Sequence, residues 1–134
     1  MLSGPNVILT LQIAVGLVTV IFAAALVAIA LGRQRLHGRL NIAFFILTLG
    51  AVLGLEFLIR FVDPTMFEYF TAEDRHMMTW HLSFSIPSTI LLPIMLLSGL
   101  THRRKLHILL GTLFLACWIG TFVTGIFFLP NGMR

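Results

Sequence analysis

Long apolar runs alternate with short polar segments along the whole chain. Four of these runs are long enough to cross about 30 Å of hydrocarbon as a helix, which takes roughly 20 residues. They cover residues 7–31, 40–62, 81–100 and 106–129. The pattern predicts an all-α fold, a bundle of four antiparallel transmembrane helices in a single integral membrane domain over residues 1–134. The mean hydropathy of +1.00 agrees with this interpretation.

The charged residues fall mainly between these runs and predict the orientation of the chain. Six of the nine Lys and Arg residues lie in the connections after the first and third runs. The connection from Asp63 to Trp80 is acidic and also rich in aromatic residues. By the positive-inside rule the two basic connections are cytoplasmic and both termini are periplasmic, in a bacterial inner membrane. The amphipathic character of residues 63–80 favours a short interfacial helix there.

Composition and spacing exclude several classes of function. The net charge of +4 reflects the basic connections, and no basic stripe interleaved with aromatic residues indicates a nucleic-acid partner. A single Cys117 forms neither an internal disulfide nor a thiolate cluster. The sequence shows no nucleophile–base pair, phosphate loop or paired carboxylates, and no internal repeat. We therefore expect a non-enzymatic protein whose partners are the lipid bilayer and other membrane proteins.

Two features of the predicted spans concern helix packing. Gly50 and Gly54 form a GxxxG pattern in the second span, which allows another helix to approach closely. Pro87 and Pro93 remove two backbone hydrogen bonds from the third span and are expected to bend it. Neighbouring hydroxyl residues are expected to bind the carbonyl groups that the prolines release.

Ionisable residues inside the second span are the first candidate site. Glu56 and Arg60 lie four residues apart, so they share a helix face and can pair. His81 opens the third span from the same side of the membrane. The three residues are therefore predicted to form one polar cluster near the periplasmic interface. A structural ion pair capped by an interfacial histidine, or a role with a proton, quinone or metal, would both produce this pattern.

Five histidines in a chain of this length are the second candidate. A haem bound by two histidines needs two imidazoles at the same depth on facing helices, and His37 and His107 meet the depth condition. They are the candidate haem-binding residues, and His81 is a candidate metal ligand. For each histidine the alternative is an interfacial residue that hydrogen-bonds to headgroups or loop carbonyls.

The order of several short motifs resembles that of the CtaM/YozB family, small four-helix bacterial membrane proteins linked to terminal-oxidase maturation. The matching stretches are HGRLNIAFF at residues 37–45, His81, THRRK at 101–105 and TFVTG at 121–125. Together they cover residues 35–129. The family has a further histidine at the outer end of its second span, where this chain has Glu56 and Arg60.

The resemblance implies a role beside haem-copper oxidases, with His37, His81 and His102 as polar anchors and with haem b or copper as the cofactors to consider. By it, His81 and His102 are the candidate metal residues. The substitution at the outer end of span two counts against an outer metal site, because arginine stays protonated and has no lone pair to offer a metal.

Three functions follow as expectations. The leading one is a non-catalytic membrane protein that assists or accompanies a respiratory electron-transfer complex. The second is a b-type cytochrome with a haem between two of the histidines. The third is a structural subunit of a larger respiratory or photosynthetic complex.

The predicted topology can be tested with reporter fusions after Arg104 and after Arg134. Because one complete span separates the two positions, a reporter that is active only outside the cytoplasm should be active at Arg134 and inactive at Arg104. Equal activity at both positions would contradict the four-span arrangement.

Overall fold

The computed structural model describes residues 3–130, and these form four long helices without strands. Each helix is long and apolar enough to cross a membrane. The predicted all-α bundle of four spans is therefore confirmed, and the chain is a multi-pass membrane protein. Residue 134, one of the two proposed fusion points, lies outside the described residues. The helices are α1 (Gly4–Ala30), α2 (Gln34–Phe57, continued by a π-helical turn at Leu58–Val62), α3 (Ala72–Leu100) and α4 (Arg104–Phe127).

The helices pack as two hairpins. α1 packs along α2 and α3 along α4, whereas the contacts between α2 and α3 and between α1 and α4 are fewer. Short turns at residues 31–33 and 101–103 join the helices of each hairpin, and we call this side of the bundle the basic end. The opposite side carries segment 63–71 and residues 128–130, and we call it the acidic end.

An aromatic cluster fills the bundle between the helix centres and the basic end. Phe44 and Phe114 are fully buried and lie with ring centroids 5.8 Å apart. Phe22 stacks on Phe44 at 4.8 Å, and Trp118 meets Phe44 edge-on at 5.0 Å. Aromatic rings of this size dominate the burial of apolar surface, and edge-to-face pairs add about 1 kcal/mol each. Three of the four helices therefore meet in one aromatic layer, which Leu92 of α3 completes.

The two hairpins repeat each other, which the sequence analysis did not detect. The pattern Arg-x-x-Leu-His-x-x-Leu-x-x-x-Phe occurs at residues 33–44 and again at residues 103–114. In both copies the helix begins one residue after the arginine, and the final phenylalanine is fully buried. The prediction that the chain has no internal repeat is therefore wrong. Few identities are kept outside this pattern, which is why it escapes notice in the sequence.

The turns of the two hairpins have the same backbone geometry. The amide of Arg33 donates to the carbonyl of Ala28 at 2.8 Å, and the amide of Arg103 donates to that of Ser98 at 3.0 Å. The preceding residue has a positive φ in both, 76° at Gly32 and 57° at His102. A left-handed residue after the helix end satisfies the last carbonyl groups of the helix. The same turn is therefore built once with glycine and once with histidine.

Helix α3 begins nine residues before the predicted third span. Thr71 caps it: the amide of Asp74 donates to Oγ1 of Thr71 at 3.2 Å, and the amide of Thr71 donates to the Asp74 carboxylate at 2.9 Å. Residues 63–71 form turns, so no separate interfacial helix is present in this described stretch. The predicted boundary at residue 81 was late because hydropathy does not register the polar first turns of a helix.

Segment 63–71 packs across the acidic end of the bundle. Phe70 is buried against Ile8 of α1 and Leu129 beyond α4. The Tyr69 hydroxyl donates to the carbonyl of Pro130 at 3.3 Å. Burial, and then the nearby carboxylate of Asp74, raise the pKa of Tyr69, so this hydroxyl keeps its proton. The segment therefore ties the first turns of α1 and residues 129–130 to the α2–α3 connection.

The hydroxyl groups of Ser88 and Thr89, next to the prolines of α3, do not make the hydrogen bonds that were predicted. The helix is continuous from residue 72 to residue 100, with Pro87 partly buried and Pro93 exposed. The hydroxyl groups of Ser88 and Thr89 donate to carbonyls four residues earlier, at 2.9 and 2.8 Å. These are not the carbonyls that the two prolines release, so the role predicted for the hydroxyl groups is wrong for this pair.

Replacing Gly32 by alanine should destabilise the protein by about 1 kcal/mol, because its φ of 76° is unfavourable for a residue with Cβ. Gly38→Ala is the matched control. Its added Cβ meets no atom within 4 Å in α2, and alanine favours the helix by up to about 1 kcal/mol. The measurement is the midpoint of unfolding by dodecyl sulfate in mixed micelles, followed by circular dichroism. A Gly32 variant as stable as the parent would contradict the left-handed turn.

Candidate functional site

His37 joins the two helices of the first hairpin. Its Nδ1 lies 2.7 Å from the carbonyl oxygen of Ala25 in α1. A carbonyl only accepts, so Nδ1 carries the proton and Nε2 is left with a lone pair. That lone pair accepts a hydrogen bond from the Asn41 side-chain amide at 3.0 Å. Oδ1 of Asn41 is buried and has no hydrogen-bond partner among residues 3–130.

His107 does the same in the second hairpin. Its Nδ1 lies 2.9 Å from the carbonyl oxygen of Met95. Met95 precedes His107 by twelve residues, the same separation as between Ala25 and His37. Gly99 makes room for the ring, since a Cβ there would lie 3.0 Å from Nδ1. The rings of His37 and His107 lie 6.2 Å apart between centroids, with their planes at 84°. The structure therefore brings the two predicted haem residues together at the basic end.

This pair of histidines does not offer two free ring nitrogens to a haem iron between them. An Nδ1–H held by a backbone carbonyl is common in histidines that bind metal through Nε2. The Nε2 lone pair of His37, however, is used by Asn41. The fully buried rings of Phe44 and Phe114 lie two turns further into the membrane. The contacts match the alternative interpretation, histidines bound to backbone carbonyls, except that the carbonyls belong to helices and not to loops.

His81 lies in α3 towards the acidic end, where it binds α4. Its Nδ1 is 2.9 Å from Oγ1 of Thr124, whose own proton goes to the carbonyl of Gly120 at 2.7 Å. The Thr124 hydroxyl therefore accepts, and His81 donates from Nδ1. The ring packs on Gly125, where a Cβ would lie 3.0 Å from Cε1. The backbone of Thr121 also contacts the ring, and Nε2 of His81 has no side-chain hydrogen-bond partner within the part of the chain that the structure describes.

Glu56 and Arg60 form an ion pair on α2, with Nε of Arg60 2.8 Å from Oε2 of Glu56. The side chains are 53% and 70% exposed, so neither belongs to the helix-packed core. His81 makes no hydrogen bond to either residue, because Thr124 holds its Nδ1. The pair on α2 and the histidine on α3 are therefore not joined by a hydrogen bond, although Glu56 and His81 border the same cavity.

The two candidate metal residues of the resemblance do not meet. His102 is exposed in the turn at the basic end, and His81 lies near the other end of α3. They are 21 residues apart along α3 and its turn, about 30 Å at 1.5 Å per residue. Among residues 3–130 no three His, Cys, Asp or Glu side chains converge as a metal site.

A cavity of about 360 Å³ lies among the four helices between the aromatic layer and the acidic end. Most of its lining is apolar, and Phe67 of segment 63–71 contributes to it. Glu56 and His81 line it from α2 and α3, together with Ser85, one turn from His81 on the same face. Ser85, one of the hydroxyl residues near Pro87, was not among the predicted site residues. Its spacing of four residues from His81 is the signal that would have added it to the site.

Comparison of the chain with protein-family models, with curated proteins and with solved structures finds no match. The fold and the cavity define a class: a small multi-pass membrane protein with a mainly apolar cavity, carrying a few polar groups, in the half nearer the acidic end. The resemblance to oxidase-maturation proteins and the cofactor roles of the histidines remain predictions.

Thr124→Val should destabilise the protein by about 1–3 kcal/mol, because it leaves Nδ1–H of His81 without its acceptor in a low-dielectric site. Thr48→Val is the matched control, since the Thr48 hydroxyl is buried without a partner among the described residues and valine removes only that group. Unfolding by dodecyl sulfate measures both. Equal stability of the two variants would show that the hydrogen bond between His81 and Thr124 contributes nothing.

Proposed function

We propose that this chain is a non-catalytic membrane protein that accompanies a larger respiratory electron-transfer complex, and that it docks on this complex through α2. The exposed glycine face of α2 is the observation that carries the proposal. Gly50 and Gly54 are exposed, and a Cβ added at either meets no atom within 4 Å. The bundle itself therefore does not use the GxxxG pattern, and the pattern is available to a helix of another protein.

The glycines lie within a continuous exposed stripe at helical spacing. Ile46, Leu53, Phe57 and Phe61 share this face, and each is more than half exposed. Lipid would cover the apolar members adequately. A close helix contact at the two glycines, with large side chains above and below, is the arrangement that favours a protein partner over lipid.

The ion pair between Glu56 and Arg60 lies beside this face. Arg60 follows Leu53 by seven residues and shares its side of α2, whereas Glu56 is two residues from Gly54 and borders the cavity. Glu56 lies six residues before the end of the helical segment, about 9 Å deep along the axis. Its side chain is 53% exposed although it stands in a membrane span, where an ionised group is costly unless it is paired or covered. A polar group on a partner at this depth would cover it.

The respiratory part of the proposal rests on the motifs at residues 37–45, 101–105 and 121–125, which resemble those of the oxidase-maturation family. Two alternatives differ in what they predict. A stoichiometric structural subunit would stay bound to its complex in mild detergent, whereas an assembly factor would be recovered with it only transiently. A b-type cytochrome would carry haem of its own, and the contact between His37 and Asn41 disfavours it.

The docking face can be tested by co-purification. Gly54→Leu should reduce recovery of the partner complex from native membranes by about tenfold or more, because a leucine holds the helices apart. Gly16→Leu is the matched control, since Gly16 lies in α1 and also has no atom within 4 Å of an added Cβ. The readout is the ratio of partner to tagged protein, with the partner identified by its haem and copper content. Both variants should unfold at the same dodecyl sulfate concentration.

Two results would count against the proposal. Equal recovery of the partner with Gly54→Leu and Gly16→Leu would exclude docking through α2. A partner without electron-transfer cofactors would exclude the respiratory assignment. A Soret band of the purified chain that shifts on reduction would exclude the non-catalytic proposal and support the b-type cytochrome.

A further inference from the structure

The cavity near the acidic end is open towards the hydrocarbon region of the membrane. Ile86 and Ile90 of α3 contribute to its lining, yet they are 53% and 58% exposed. The cavity is partly open, and these side chains, which lie both on its wall and on the outer surface of the bundle, place the opening beside α3 as a lateral groove. Its volume of about 360 Å³ lies in the range of small-molecule sites, roughly 300–1,000 Å³. A ligand would enter it from the lipid.

Three of its polar groups, Glu56 of α2 and His81 and Ser85 of α3, lie towards the acidic end of the cavity. Nε2 of His81 is an acceptor, because Nδ1 carries the proton that Thr124 receives. The carboxylate of Glu56 is also an acceptor, and only its Oε2 is bound by Arg60. The Ser85 hydroxyl has no hydrogen bond to a described residue and can donate or accept. The cavity therefore presents two acceptors on two helices and one adaptable hydroxyl.

The remaining hydroxyl groups of α3 in the cavity are already bound. Ser88 donates to the carbonyl of Phe84 and lies 3.2 Å from Oγ1 of Thr121. Thr89 donates to the carbonyl of Ser85. These groups are therefore satisfied by the protein and leave recognition to His81, Glu56 and Ser85.

The heights of the polar groups suit an amphipathic molecule. His81 lies 19 residues and Ser85 15 residues before the end of α3, about 28 and 22 Å above its basic end at 1.5 Å per residue. Deeper in the cavity most of the lining is apolar and ends at Phe114 and Trp118, and the hydroxyl groups of Ser88, Thr89 and Thr121 there are bound within the protein. A ligand would place its polar head among His81, Ser85 and Glu56 and its apolar part towards the aromatic layer.

We infer that this cavity binds a neutral dihydroxy aromatic compound with a hydrocarbon tail, a membrane quinol. The acceptors of His81 and Glu56 lie on different helices, so a ligand that binds both needs two hydrogen-bond donors. An aromatic ring with hydroxyl groups on opposite sides supplies two such donors. An anionic lipid head is disfavoured by the carboxylate of Glu56, and a simple alcohol has only one donor. The inference concerns binding of the reduced form. It does not need docking through Gly54, which does not line the cavity, although Glu56 borders both the cavity and the exposed surface of α2.

The test compares decylhydroquinone, kept reduced with ascorbate, with its dimethyl ether, by calorimetric titration of the purified chain in detergent. The ether has the same ring and tail but no donors. We expect the hydroquinone to bind about tenfold or more tightly than the ether, as the loss of hydrogen bonds to a charged acceptor implies. Equal binding of both compounds would overturn the inference and show an apolar slot for hydrocarbon chains.

Two substitutions locate the head group. His81→Phe and Glu56→Gln should each weaken hydroquinone binding by about five- to tenfold and leave ether binding unchanged. Thr112→Val is the control, since Thr112 is exposed on α4 outside the cavity and its hydroxyl serves the Ile108 carbonyl. If circular dichroism shows that His81→Phe does not fold, Glu56→Gln decides, because its side chain lies outside the core. Unchanged hydroquinone affinity in the folded variants would overturn the assignment.

Discussion

In each hairpin of this protein an imidazole N–H donates a hydrogen bond to a helix carbonyl twelve residues earlier. In hydrocarbon there is no water to replace such a bond, so a polar side chain must find its partner within the protein. Histidine suits the position because its second nitrogen is free for another contact, as the one from His37 to Asn41 shows. The bond lies beside a turn of three residues, where the two helices are closest. It sets the spacing of each hairpin, and the aromatic layer is packed on that spacing.

Hydropathy located all four spans, because apolar runs of about 20 residues admit few other structures. It also gave the neighbours, since short connections force adjacent helices to be antiparallel. It failed at the start of α3, whose first turns are polar and project beyond the apolar run. The sequence Thr71-Ala-Glu-Asp74, which places a carboxylate three residues after a threonine, is a helix-start signal that would have corrected the boundary. The repeat was missed because only the turn-proximal pattern is kept in both hairpins.

The candidate site was harder to predict than the fold. Spacing along one helix identified the pair of Glu56 and Arg60, because residues four apart share a face. It could not identify Thr124 as the partner of His81, since the two are 43 residues apart and meet only through the packing of α3 on α4. Depth placed His37 and His107 on one level, and the structure brings them together. Each histidine binds a helix carbonyl because the two helices of its hairpin approach closely. The depth of a residue in the membrane does not predict this approach.

The repeat gives each residue of one hairpin a counterpart 70 positions away. His81 corresponds to Leu11 and Ser85 to Val15, and all four line the cavity. Glu56 likewise corresponds to Ile126, which also lines it. At these three positions the side chain is polar in one copy of the repeat and apolar in the other. A molecule among them would meet polar groups on α2 and α3 and their apolar counterparts on α4 and α1, so it would have a preferred orientation with respect to the two hairpins.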